Sequence, residues 1–271
     1  MDCGEGVQRQ ILTQGIGLNK DTTIIITHLH GDHVTGLLGL LQTMSLAQRR
    51  KPLNLVGPAP LEKWLEVTAD LLHIGLTFPV NFVRAKPGTV FRSKEFVIKA
   101  ARALHSVEAF SYVVEEMARP GVFFPLKAKR LSVPEGKLWS RLQKGRTVAV
   151  GDRTVSPDEV TGPSRPGRKV GYSGDTRPSA RLTRFFQGCD LLIFDSTFAG
   201  KDRDKAVERK HSTCLEAAET AARAHARKLV LTHFSARYSS VSGIVREARA
   251  VFPGAVAASD GMRIQVDYPS P

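Results

Sequence analysis

Six residues near the amino end, His28-Leu29-His30-Gly31-Asp32-His33, bring three imidazoles and a carboxylate into one short stretch. Neutral imidazole nitrogens and carboxylate oxygens are the ligands that zinc and similar divalent ions take. The stretch follows the apolar run Thr23-Ile24-Ile25-Ile26, so it is expected where a buried strand surfaces into a loop. Side chains of a continuous strand alternate between faces, whereas a loop leaving a strand end can aim several at one point. Metal-dependent hydrolysis is the chemistry that this spacing points to.

Three further ligand candidates share the context. His105 follows the apolar stretch 96–104, Asp175 follows 170–174, and His233 follows 229–232. Each stands at the end of an expected strand, where the loops of layered folds collect ligands. Alone, either histidine reads more readily as a satisfied structural one than as a ligand, and Asp175 also fits the cap of a helix beginning at Arg177. Together with the first cluster they make five histidines and two aspartates, enough for two adjacent metals and one bridging carboxylate. His73 and His225 are assigned no chemistry.

The elements that must position these residues follow from hydrophobic periodicity. Strands are expected over 21–27, 52–56, 76–82, 90–91, 96–104, 110–115, 169–172, 191–194 and 229–231, with a closing strand pair at 255–258 and 263–267. Helices are expected over 34–45, 61–72, 177–187 and 213–226. The chain carries no internal repeat. It reads as one mixed α/β layered domain over 1–271 with a basic insertion at 119–165, not as two equal domains.

Bulk numbers bound the rest. At 271 residues and 42% apolar content, the chain can bury a sizeable core. It lacks an uncharged stretch of about 18 to 20 residues, which argues against a membrane span, and its start does not resemble a signal peptide. Three scattered cysteines do not make a disulfide framework, so a reducing cytoplasm is expected. The net charge of +13 favours a polyanionic partner. Much of it is local: residues 119–169 hold 12 Lys/Arg against 4 Asp/Glu.

At this point the chain resembles the ribonuclease Z family, the tRNA 3′-processing endonucleases within the metallo-β-lactamase superfamily. The segments that carry the resemblance are Asp2-Cys3-Gly4-Glu5-Gly6, Thr27 to His33, Leu104-His105, Gly174-Asp175-Thr176, His211-Ser212-Thr213 and Leu231-Thr232-His233-Phe234-Ser235-Ala236-Arg237-Tyr238. The first histidine cluster alone indicates only the superfamily; the last two segments are sharper. In the insertion, 133–139 and 142–145 look like part of the family's flexible tRNA-gripping arm.

The resemblance implies an αββα sandwich with the metals at the shared edge of its two sheets. His28, His30 and His105 would hold one Zn2+, Asp32, His33 and His233 the second, and Asp175 would bridge them; Mn2+ accepts much the same ligands. It also implies a homodimer that takes precursor tRNA and removes its 3′ trailer, leaving a tRNA 3′-hydroxyl. Paired metals lower the pKa of bound water and clamp a phosphate oxygen. Asp32 is the expected proton-handling carboxylate. His211 is the expected partner of the leaving 3′ oxygen, with Glu208 one turn earlier to orient it.

Recognition of an A-form acceptor arm rests on shape and backbone charge. Lys127, Lys129, Arg130, Lys137, Arg141, Lys144 and Arg146 are the expected phosphate contacts, with Gly121, Gly136 and Gly145 letting the arm bend. Ser235 and Arg237, directly after His233, suit either a grip on phosphate near the cut or a purely structural role. Two departures from the family pattern stand out. Family members carry several dozen residues before the Asp2–Gly6 match, so one sheet is expected to lack its first strands and expose an edge. Asp195-Ser196-Thr197 replaces a common Glu-Ala-Thr, keeping a carboxylate with a shorter reach. The rival readings are another dinuclear phosphodiesterase, acting on cyclic nucleotides or DNA without need of the arm, and a catalytically weak tRNA-binding protein.

Overall fold

Strand β1 (Thr22–Ile25) is apolar on both faces because both faces are covered. In the computed structural model, which describes residues 1–269, Ile24 and Ile26 turn to one side and Ile25 to the other. The same alternation divides Leu53 and Leu55 from Val56 in β2 (Leu53–Gly57). A strand buried on both sides reads as a continuous apolar run instead of an alternating one. β1, β2 and β3 (Val80–Arg84) form a parallel three-stranded sheet with β2 in the middle.

One face of that sheet packs under α1 (Val7–Thr13), α3 (Gly36–Leu46) and α4 (Pro60–Leu71), through Leu37, Leu41, Met44 and Leu61. A four-residue helix, α2 (Gly31–Val34), lies between β1 and α3 and carries Asp32 and His33. The other face meets a second sheet across Ile25, Val56, Ile98, Ala100, Phe110 and Tyr112.

That second sheet has seven strands. β4 (Gly88–Arg92), β5 (Phe96–Arg102) and β6 (Phe110–Glu116) are followed by β9 (Lys169–Tyr172), β10 (Leu191–Asp195), β11 (Leu229–Thr232) and β12 (Ala255–Ala257), in the spatial order β12-β11-β10-β9-β6-β5-β4. β9 to β12 run parallel, and β6 meets β9 antiparallel. Its outer face is covered by α8 (Ala180–Phe185), α10 (Cys214–Arg223) and α11 (Ser242–Val251), centred on Phe186, Leu192, Phe194, Ala217 and Leu231. The result is the four-layer αββα sandwich. Parallel strands end on the same side, so the loops after β9, β10 and β11 open together.

Several element boundaries differ from the sequence expectation. Residues 76–79 precede β3, because Pro79 cannot donate to a ladder. The helix expected from Arg177 begins only at Ala180, after Pro178, with the Ser179 hydroxyl accepting from Leu182 N–H at 3.2 Å. Asp175 is therefore not a cap. The closing strand pair is replaced by β12 on the β11 edge, and residues 263–267 form no strand. Helices α1, α11 and α9 (Arg203–Arg209) had no counterpart in the periodicity reading.

Residues Glu116–Arg168, with residues 267–269, form a compact unit of their own. It contains α5 (Pro125–Arg130), α6 (Lys137–Gln143), the hairpin β7 (Val148–Val150) and β8 (Arg153–Val155), and α7 (Pro157–Val160). Ala128, Val133, Leu142, Val148, Val155 and Val160 give it a private core, flanked by Trp139, whose indole N–H donates to Val133 O at 3.0 Å. Gly121 serves close packing here, not bending: a Cβ would sit 1.9 Å from Gly162 O. Gly136 and Gly145 have φ of +108° and +77°, turn conformations that glycine adopts without strain.

Candidate metal centre

Seven side chains converge at the strand ends. His28 and His30 leave β1, Asp32 and His33 come from α2, His105 follows β5, Asp175 follows β9 and His233 follows β11. Asp175 Oδ2 is the common point. It lies 3.6 Å from His28 Nε2, 4.0 Å from His105 Nε2, 3.3 Å from His33 Nε2 and 3.4 Å from His233 Nε2. His105 Nε2 faces His30 Nδ1 at 3.2 Å, and Asp32 Oδ2 reaches His233 Nε2 at 3.3 Å and His33 Nε2 at 3.5 Å. The ligand atoms thus group as His28, His30, His105 and Asp175 on one side and Asp32, His33 and His233 on the other, with Asp175 in reach of both.

The histidine tautomers are set by what holds each Nδ1. The Thr27 hydroxyl donates to the Asp2 carboxylate at 2.9 Å, so it accepts from His28 Nδ1 at 3.0 Å. Asp2 Oδ2 also accepts from His33 Nδ1 at 2.8 Å and from the Tyr172 hydroxyl at 2.8 Å. The Thr197 hydroxyl donates to Asp195 Oδ1 at 2.6 Å and so accepts from His233 Nδ1 at 2.9 Å. His105 Nδ1 donates to the Lys210 carbonyl at 3.0 Å. In each of these four rings Nδ1 meets an acceptor and Nε2 is turned toward the others, the arrangement that outer partners impose on metal-binding histidines.

Backbone geometry supports the same positions. Lys210 and His233 have φ of +56° and +62°, uncommon for residues with a side chain. Gly174 has φ +56°, and a Cβ there would lie 2.7 Å from Thr27 Cγ2, against the residue that fixes His28.

Charge completes the fit to cations. His28 is fully buried and its Nε2 has no hydrogen-bond partner; a metal is the partner that would satisfy it. Burial, then the neighbouring His33, pushes its pKa down to about 3, so the ring is neutral and able to ligate. Burial also lowers His105, against the Lys210 carbonyl and Asp175. For Asp175, burial is overcome by His33 and His233, which hold the carboxyl well below its usual range. Asp32 is lowered for the same kind of reason, His33 and His233 outweighing partial burial. His33 goes up to about 10: burial opposes this, but hydrogen bonds to Asp175 and Asp2 win. The two carboxylates around His33 favour positive charge between them, which a divalent ion would supply.

His211 also approaches Asp175, at 3.9 Å from Nδ1. That nitrogen is committed elsewhere: it lies 3.0 Å from Oδ2 of the wholly buried Asp195. His211 is accordingly a neighbour of the cluster, and among the described residues its Nε2 has no hydrogen-bond partner. Its pKa is raised, Asp195 outweighing burial. Glu208 does not take the orienting part expected of it. Its exposed carboxylate, on α9, is 3.9 Å from Arg209, and the carboxylate beside His211 is Asp195.

Sequence reasoning missed the outer partners Asp2, Thr27, Thr197 and the Lys210 carbonyl. The signal for Asp2 was its place in a matched segment; a backbone carbonyl has none.

The seven basic candidates of the second unit, Lys127, Lys129, Arg130, Lys137, Arg141, Lys144 and Arg146, are all exposed, and none has a carboxylate partner among the described residues. Arg237 is less free. Its Nε donates to Ser235 Oγ at 3.1 Å, and its guanidinium lies over the Phe198 ring at 4.9 Å.

Comparison with known proteins adds independent findings. A beta-lactamase superfamily domain matches residues 159–234, and the anti-Pycsar protein Apyc1 family matches residues 1–115. The chain is 43% identical to a protein named ribonuclease Z from Nitrosopumilus maritimus over 265 residues, covering 98% of this chain and 89% of that one. It is 42% identical to ribonuclease Z of Bacillus licheniformis over 262 residues, covering 96% and 85%. Among solved structures, the short form of human tRNase Z superposes with a TM-score of 0.68 at 27% identity, covering 98% of this chain and 87% of that one.

Proposed function

This chain belongs to the ribonuclease Z family, and from that premise we propose that it is a metal-dependent endoribonuclease that removes the 3′ trailer of precursor tRNA. The observation that carries the reading is the convergence of seven ligand side chains, four of whose imidazoles lie within 4.0 Å of Asp175 Oδ2, with His28 Nε2 buried and without a hydrogen-bond partner. His28, His30, His105 and Asp175 would hold one Zn2+, and Asp32, His33, His233 and Asp175 a second. When bound, the ions would supply Lewis acidity toward a phosphate oxygen and a lowered pKa for water.

The chain's own residues do the remaining work. Asp32, its carboxylate 65% exposed, is the ligand residue that faces incoming substrate and can take the proton of the attacking water at Oδ2. Asp195 fixes His211 by its Nδ1, which leaves Nε2 to protonate the departing 3′ oxygen. The seven exposed cations of the second unit follow the phosphate backbone, which is how a protein reads an A-form helix whose bases it cannot reach.

Further parts of this reading are a homodimer, in which one copy's arm holds an RNA whose 3′ end enters the other's centre, and a cytoplasmic setting. For the latter, all three cysteines are unpaired and buried, as a reducing compartment allows. Among the described residues no helix is long and apolar enough to cross a membrane.

Asp175→Ala tests the centre. We expect loss of bound metal and of cleavage while affinity for precursor tRNA in chelator is retained. A variant that keeps its metal and still cuts would overturn the assignment.

A further inference from the structure

The carboxyl end makes a contact that the proposed function leaves unused. The Tyr268 ring carries two guanidinium groups over it, Arg119 Cζ at 3.4 Å and Arg168 Cζ at 4.5 Å from the centroid. Both arginines stand at the root of the basic unit, one on the outgoing leg and one on the return leg. Arg119 and Arg165 exchange both backbone hydrogen bonds there, at 2.7 and 2.9 Å, and Arg168 grips Glu116 through Nε at 2.9 Å and through Nη2. Two cations brought this close repel one another; the negative face of an aromatic ring offsets that repulsion and favours holding both. The chain enters this unit a further time between Val266 and Asp267, two residues before the clamp.

We propose that Tyr268 is a positioning residue for the RNA: by clamping Arg119 to Arg168 it orders the root of the basic unit before substrate arrives. A root ordered in advance costs less to order on binding, and the saving appears as affinity. The inference rests on the reading that this unit grips RNA. It adds a residue outside both the metal centre and the basic set, in a part of the chain that sequence motifs leave blank.

Tyr268→Ala and Tyr268→Phe in the full chain test it, with steady-state cleavage of precursor tRNA and hydrogen exchange at the Arg119 and Arg165 amides. Y268A is expected to raise KM about five- to tenfold with kcat retained, and to speed exchange at both amides. Y268F keeps the ring and is expected to behave as the parent in both. Hydrolysis of bis(p-nitrophenyl) phosphate, which is too small to touch the basic unit, should be the same in all three proteins. Parental KM in Y268A would overturn the proposal, as would a loss in Y268F equal to that in Y268A, because the hydroxyl and not the ring would then matter. Replacing residues 125–160 by a short Gly-Ser linker separates the two levels. If that leaves KM for the RNA unchanged, the RNA-gripping reading itself fails, whatever Tyr268 does.

Discussion

Asp195 Oδ2 lies 3.0 Å from His211 Nδ1, and the same oxygen accepts from the Thr176 backbone N–H at 3.0 Å, while Oδ1 takes the Thr197 N–H and hydroxyl. A carboxylate so completely engaged and wholly buried holds His211 in one orientation. Asp195→Asn removes the charge and offers an N–H where His211 needs an acceptor. Its kcat should fall about 10²- to 10⁴-fold, the usual value of a positioned acid or base, while metal content stays at the parental level. Metal analysis beside kcat distinguishes this from damage to the centre, and an unchanged kcat would remove His211 from the chemistry.

Asp2 joins three parts of the site, holding Thr27, His33 and Tyr172. Asp2→Asn should weaken metal binding about 10- to 100-fold, the typical cost of losing an outer partner of a histidine ligand. Chelator competition measures it directly. Parental affinity in this variant would mean that His33 is oriented by other contacts.

The exposed cations of the second unit predict a salt effect. Replacing Lys137 and Arg141 with alanine should raise KM for precursor tRNA. It should also make the slope of log affinity against log salt shallower, by about 1 for each phosphate that is no longer neutralised. Binding isotherms at several salt concentrations report the slope. A slope equal to the parent's would mean that these side chains meet no phosphate.

Acid stability carries a signature of the arm's root. The Arg168 guanidinium, with the Arg168 backbone N–H, holds the Glu116 carboxyl below its ordinary value of 4.5. A lowered carboxylate stabilises the fold in full above that ordinary value, and the contribution fades as pH falls through the folded one. Glu116→Gln should therefore be less stable than the parent near neutral pH, with the gap closing below about pH 4.5. Urea unfolding across that range gives the test; a gap of constant size down to about pH 3 would contradict it.

Much of the centre was visible in the sequence because its ligands follow apolar strands. His28 after Ile26, Asp175 after Tyr172 and His233 after Leu231 are all polar residues at the ends of buried runs. The two-sided burial of β1 was legible for the same reason, as an unbroken apolar stretch. What escaped were contacts between residues far apart in the chain. Asp2 meets Tyr172 across 170 positions, and His105 is fixed by a carbonyl of Lys210 that any residue type could supply. Glu208 looked suitable by spacing alone, but α9 turns it outward and Asp195, at the end of β10, takes its place. In the basic unit the charge was plain. Its private core was not, because Val133, Leu142 and Val148 are spaced among lysines and arginines without helix or strand periodicity.

The most direct measurement is cleavage of a precursor tRNA bearing a 3′ trailer by the 271-residue chain, with Zn2+, with Mn2+ and after chelation, with the cut mapped to the nucleotide. We expect a single metal-dependent cut that leaves the tRNA 3′-hydroxyl, abolished by chelator and restored by added metal. Folded, metal-loaded protein that binds the precursor and leaves it whole, or that cuts equally well in chelator, would contradict the account.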